Sequence, residues 1–450
     1  MASVPLFKEI KNYQSCGEGI LPSQELRHFV DNGVICSHRE IEPEQIQPAS
    51  IDLRLWDTAY RVRASFLPSK STTLLNKATT NGLFDTKLDI SEPTLLEPRA
   101  VYIIRLVESL ALPSDVYGVA NAKSTTGRLD IFTRLITEVG DEFERVPKGY
   151  RGDLYIQVVS RSFPILVRSG MKLNQLRLVR GRSNPVADSG LKELAKDDLL
   201  VFNEEPSSEQ GDINRGLRIT VDLKGTADSD IVAYEAKRYT QPVSLNQVQY
   251  YDPADFWSPI RKPEKGYIVL EPENFYLLAS KQPVRVGPDH AAEMVPYDPT
   301  TGEFHVHYAG FFDPGFGYGV GGEIQGSKAV LEVRAHGMPV MLEDDQFVGR
   351  LNYYKMAATP DKVYGVSIGS SYQKQGLALS KQFKQSGFAE REKVMSTSDP
   401  DAMQGVPAKH SLTSRNEIKR RSDLGEDDSI LDIAFPQKTS AITLQAKTRT

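Results

Sequence analysis

Cysteine is nearly absent from this chain: of 450 residues only Cys16 and Cys36 are cysteine, both near the N-terminus. Two thiols build neither a disulfide framework nor a four-thiolate zinc site, and they point to a reducing compartment. An excess of one charge is also lacking. With 54 basic and 59 acidic residues, the formal net charge is −5. That argues against a broad nucleic-acid-binding face and leaves room for a local basic pocket. No run of about eighteen apolar residues is present to span a bilayer. The opening MASVPLFKEI has no basic region leading into an apolar core, so no signal peptide is expected. The expectation is a cytoplasmic protein with no membrane and no nucleic-acid polymer as partner.

What is present is mostly short β-like text. Residues 20–40 carry helical spacing at Leu26, Phe29 and Val30, with Asn32-Gly33 as a stop signal. From there Ser50 to Leu55 alternates polar and apolar residues, as a half-buried strand does. Further short runs occur at Val101–Leu106, Val116–Ala120, Leu154–Val159 and Ile165–Val167, punctuated by Gly, Pro, Asn and Asp. The pattern suits an all-β barrel or sandwich better than alternating βαβ units.

The text then repeats. Glu97-Pro98-x-x-x-Tyr102-Ile103-Ile104 recurs as Glu271-Pro272-x-x-x-Tyr276-Leu277-Leu278, an offset of 271 − 97 = 174. Asp115 and Gly152 map to Asp289 and Gly326 at the same offset. One inserted residue later, Gln157 falls opposite Glu332. Common order and spacing indicate two copies of one β-domain: residues 1–190 and 215–385, joined by a polar, turn-rich linker around 183–215. The charged, aromatic-poor segment 386–450 is expected to be disordered.

Several motifs dissolve on inspection. His38-Arg39-Glu40 matches half of a zinc-deaminase signature, but no cysteine follows it. His305-Val306-His307 is explained as well by strand alternation as by metal binding. Gly317-Tyr318-Gly319-Val320-Gly321-Gly322 has the G-x-G-x-x-G spacing, but a strand rather than a helix follows. Two stretches remain. Lys123-Ser124-Thr125-Thr126-Gly127-Arg128 gathers two cations, three hydroxyls and a glycine, which can surround phosphate oxygens with donors. Asp313-Pro314-Gly315 reads as a tight turn leading into Ala329–Val333, an apolar strand with one carboxylate, Glu332. An acid in such a strand is costly unless it is paired or used.

These stretches resemble the dCTP deaminase family of the dUTPase-like β-fold. Gln47 to Leu55 (QPASIDLRL) is similar to its N-terminal signature, and Lys123 to Arg128 to its phosphate motif. Tyr308 to Phe316 (YAGFFDPGF) is similar to its base-recognising hairpin, and Val330-Leu331-Glu332 to its catalytic strand. Tyr364 with Tyr372-Gln373-Lys374-Gln375 is similar to the segment that closes over the nucleotide, although Ser371 stands where the family has lysine. The resemblance implies a mainly β fold: two tandem dUTPase-like β-barrel or jelly-roll domains with few short helices. It implies metal-free deamination of dCTP to dUTP, with Mg²⁺ present only as a partner of the triphosphate. Glu332 would be the general base, Ser124 and the Ala309 backbone would hold water and base edge, and Arg128 would stabilise developing charge. Lys123 and Thr125 would meet phosphate, Asp313 the deoxyribose and Val330 the base, with Tyr364 and Gln375 in the closing segment.

The motifs are split between the copies. The first has Gln157 at the glutamate position and Val146-Pro147-Lys148-Gly149 at the turn. The second has Tyr297 to Gly302 (YDPTTG) at the phosphate motif. A composite site between copies is expected, within one chain or across chains of a homo-oligomer. Alternatives are a dUTP diphosphatase or bifunctional enzyme, and a catalytically silent nucleotide-binding module.

Overall fold

A computed structural model of the chain describes residues 16–202, 211–226, 229–295, 304–307, 310–319, 321–365, 376–385 and 388; the expected disorder of the tail lies outside them. Strand is the predominant regular structure among the described residues, with five short α-helices. The helix expected near the N-terminus is Ser23–Asp31, ended by Asn32 and by Gly33 at φ 67°. Both copies belong to one compact unit, Met1–Glu392.

In the first copy the central path of the sheet runs through Ile131–Thr137, Arg151–Ser160, Val101–Ala111, Ile51–Val62, Lys172–Arg180 and Val116–Ala122. Several of its strand pairs recur residue for residue in the second copy. Tyr60 opposite Ile103 becomes Tyr234 opposite Leu277, and Arg61 opposite Tyr102 becomes Glu235 opposite Tyr276. Ile165 opposite Leu96 becomes Val340 opposite Leu270. Gln157 opposite Ile103 becomes Glu332 opposite Leu277. The repeated Glu-Pro-x-x-x-Tyr text has a physical basis in both copies. The backbone N–H of Glu97 donates to Tyr102 Oη (3.1 Å), and that of Glu271 to Tyr276 Oη (2.9 Å). Arg99 and Glu273, two residues on in each turn, both take positive φ, at 64° and 61°.

The copies share a core. Phe256, Trp257, Phe275 and Leu277 of the second copy belong to the same buried cluster as Leu53, Ile104, Ile156 and Phe163 of the first. The Trp257 ring lies 5.3 Å from that of Phe163 and 5.9 Å from that of Phe383. A separate cluster, built on residues of the second copy such as Leu217, Ile219, Leu278 and Leu331, fills that copy's own interior.

The strand beginning at Ile51 differs from the half-buried expectation, because its polar face is covered too. Arg54 is buried; its Nε donates to Glu108 Oε1 (2.7 Å), and its backbone N–H to Glu108 Oε2 (2.8 Å). Gln45 Nε2 also donates to Glu108 (3.0 Å). Alternation alone cannot reveal that a polar face has been matched with buried partners. Removing one member of such a pair leaves an uncompensated buried charge. Glu108→Ala is therefore expected to lower stability by about 3–5 kcal/mol, measurable as a reduced denaturation midpoint at unchanged slope.

Candidate active site

Glu332 lies on the strand Ser327–Ala335, between Phe275–Val284 and Phe304–His307. Strand alternation divides its neighbours. Leu331 and Val333 point into the second copy's core, while Val330 packs against the first copy's cluster. Glu332 shares the face of Val330 and is buried at 7 % exposure. Burial pushes its carboxyl up to about 8; Arg128 opposes that shift and Asp130 adds to it. A cation and an anion of the first copy thus act directly on a carboxyl of the second.

Arg128 follows the short helix Ser124–Gly127, with Lys123 at the N-cap position. Ser124 is exposed and Arg128 buried. Arg128 Nη1 donates to the carbonyl of Ala378 (3.1 Å), and Ser380 Oγ donates to the carbonyl of Thr125 (3.0 Å). Residues 376–385 of the second copy therefore lie against the phosphate-like motif. Lys123 Nζ pairs with Asp52 Oδ2. Asp52 Oδ1 is buried with no hydrogen-bond partner among the described residues. Beside this pair is a cavity of about 360 Å³, lined by Lys123, Thr125, Lys172, Lys381, Asp52 and Gln382 among others.

The Asp313 turn closes with the Phe316 N–H donating to the Asp313 carbonyl (3.0 Å), and Gly315 takes φ 93°. A Cβ there would meet Val363 at 2.7 Å. The Asp313 carboxylate is buried and accepts from Arg177 Nη2 (3.2 Å), across from the first copy's strand Lys172–Arg180. Arg177 also donates to the carbonyls of Ala292 (3.1 Å) and Phe312 (3.0 Å) and sits 3.9 Å over the Phe311 ring. Burial raises the Asp313 carboxyl against the pull of Arg177, with smaller effects from Asp52 and Lys123. Tyr364 donates its backbone N–H to the Pro314 carbonyl (2.7 Å), its ring 5.5 Å from Phe316.

Two groupings result. Arg128 acts electrostatically on Glu332, and Lys123, Asp52, Arg177 and Asp313 form a second charged cluster. Ala309 and Gln375 lie outside the described residues, as do Tyr297 to Gly302 and Ser371 and the side chains of His305 and His307. At the first copy's equivalent of Glu332, Gln157 is buried and its Oε1 accepts from Ser65 Oγ (2.6 Å). Leu74, with Phe66 and Leu67 alongside, packs with Tyr155 and Ile103 on that same face. Pairing also matches the two turns: Gly118 opposite Val146 corresponds to Ala292 opposite Phe312.

Sequence reasoning missed Asp130, Arg177 and Arg334 as members of the site. It quoted Asp52 within a motif without giving it a role there.

The comparisons agree along most of the chain. Residues 17–182 match the N-terminal domain, and residues 187–383 the C-terminal domain, of 2'-deoxycytidine 5'-triphosphate deaminase. A relative from Acidothermus cellulolyticus named dCTP deaminase, dUMP-forming, is 31% identical over 143 residues, covering 32% of this chain and 70% of its own. One of the same name from Thermobifida fusca is 27% identical over 158 residues, covering 35% and 76%. The crystal structure of 2'-deoxycytidine 5'-triphosphate deaminase from Agrobacterium tumefaciens superposes with a TM-score of 0.71 at 41% identity, covering 77% of this chain and all of that one. Two tandem copies of the fold, a buried glutamate facing an arginine, and these matches lead to one conclusion: the chain belongs to the dCTP deaminase family and is an enzyme.

Proposed function

We propose that the enzyme converts dCTP and water to dUTP and ammonia at a site composed within a single chain. The observation that carries this reading is the buried Glu332 carboxyl of the second copy, held near neutral ionisation beside Arg128 of the first. In this reading Glu332 takes a proton from water as its oxygen bonds to C4 of cytosine. It then delivers protons to N3 and to the departing amine; the C4–N4 bond breaks as the last water proton leaves the new carbonyl. A carboxyl poised near the working pH is suited to both halves of such a transfer. Arg128 stabilises charge developing on the base, and Ser124 orients the water with the backbone near Ala309.

The lysines around the 360 Å³ cavity suit a triphosphate, which Lys123 and Thr125 would meet. Mg²⁺ would arrive on the phosphate oxygens of the triphosphate. Val330 would pack on the base, Asp313 on the deoxyribose, and Tyr364 and Gln375 would close the site. The expected setting remains cytoplasmic.

A second reading, dUMP as product, is favoured by the names of the curated relatives. Against it stands the Asp313 carboxylate, which is already engaged by Arg177 and less free to activate a second water. Chromatography of dCTP products decides between them: dUTP with ammonia is expected, and dUMP with diphosphate would replace that reading.

Glu332→Gln is expected to abolish ammonia release while leaving dCTP binding largely intact; normal turnover would end the assignment. Mixing inactive Arg128→Ala and Glu332→Gln proteins is expected to recover no activity, because both residues serve one chain's site. Recovery on mixing would mean sites shared between chains.

The pH dependence has a definite sign. Protonated Glu332 is no base, so kcat/KM should rise with pH and level off above about 8. The native state keeps a proton that the unfolded chain releases above 4.5. The Glu332 contribution to stability is therefore full below that pH and declines toward 8. Thermal unfolding of Glu332→Gln should lack this decline.

A further inference from the structure

Next to the facing pair Arg128 and Glu332 lies a second pair with the charges reversed. Asp130 Oδ2 accepts from Arg334 Nη2, and both side chains are at most 3 % exposed. Asp130 is two residues beyond Arg128. Arg334 is two residues beyond Glu332 and so shares its strand face. Each copy thus presents one cation and one anion to the other, in opposite order.

The pair is fixed on both sides. Asp130 sits at φ 56°, and its N–H donates to the Gly127 carbonyl (2.8 Å). Its carbonyl accepts from the Arg161 N–H (3.0 Å), and its carboxylate also accepts from Ser162 Oγ (2.6 Å). A non-glycine residue rarely adopts this left-handed conformation without a local reason. Here the conformation turns the carboxylate toward the second copy. On the other side, Arg334 Nη1 donates to the Glu273 carbonyl, and its guanidinium lies 5.9 Å from the Phe275 ring centroid.

We propose that Asp130 and Arg334 are positioning residues for deamination: their ion pair across the two copies holds Arg128 opposite Glu332. The inference rests on the reading of Glu332 as the general base. Neither residue needs to touch substrate. Their work is to keep the Arg128 turn and the Glu332 strand in one register and to neutralise each other beside the reacting carboxyl. Among the described residues, the charged groups acting on Glu332 are Arg128 and Asp130, with Arg334 on its own strand.

The test reads kcat, KM and the pH profile of Asp130→Asn and Arg334→Gln. Each is expected to lower kcat about 10–100-fold, as a misplaced reacting group does, with KM for dCTP changed less than about threefold. The pH limb should move in opposite directions, by about half to one unit. Asp130→Asn removes an anion near Glu332 and moves the limb down; Arg334→Gln removes a cation from its strand face and moves it up. A purely structural role would lower stability without this reversal of sign.

Arg334→Lys, which retains the charge, should restore the limb and part of kcat. If Asp130→Asn does not fold, the contrast between Arg334→Gln and Arg334→Lys carries the same test. Unchanged kcat, or limbs that stay put or move together, would overturn the proposal. Turnover by Glu332→Gln would instead remove the base assignment, so the two failures are distinguishable.

Discussion

A charge taken out of water at the junction of the two copies must find its counter-charge on the other copy. The cost of a lone buried ion is several kcal/mol, and the junction meets that constraint repeatedly. Arg177 of the first copy meets Asp313 of the second, and Asp130 of the first meets Arg334 of the second. Each pair ties a strand of one copy to a turn of the other. Apolar packing of Trp257 and Phe275 into the first copy's cluster brings the surfaces together, but hydrophobic burial has little directional preference. The ion pairs supply the direction, and Glu332 inherits its place from them.

The same face met a different fate in the first copy. Gln157 occupies the pairing position of Glu332, yet its amide is bound by Ser65 and covered by residues of the segment around Leu74. With no charge to accommodate, a neutral side chain and an apolar cover satisfy that face locally. Restoring a carboxylate there would bury it against Leu74, Ile103 and Tyr155, opposite an Arg134 that Glu144 already engages. Duplication left one face to serve as an interface and the other to be closed off.

Much of this was legible from the residues. The 174-residue repeat reappears as a shared strand register because pairing depends on spacing, and spacing is what a sequence records directly. Glu332 stood out as a carboxylate in an apolar run, and burial explains why such a run draws notice. Arg177 and Asp130 did not stand out. One alternates normally in a strand and the other ends a turn, and their partners lie 136 and 204 residues away. Ser50 to Leu55 misled for a related reason, since a polar face matched by Glu108 and Lys123 has the same alternation as one facing water.

The segment 376–385 carries a consequence for how the enzyme comes into being. It reaches back to cap Arg128 and Thr125, and Phe383 completes the aromatic cluster around Trp257. A ribosome emits the first copy long before this segment exists. Arg177 and Asp130 meet Asp313 and Arg334 only once the second copy has emerged, and the aromatic cluster around Trp257 is complete only when Phe383 follows. The nascent first copy must therefore wait, water-exposed on that side, and the pocket beside Arg128 can close only once residues 376–385 have emerged.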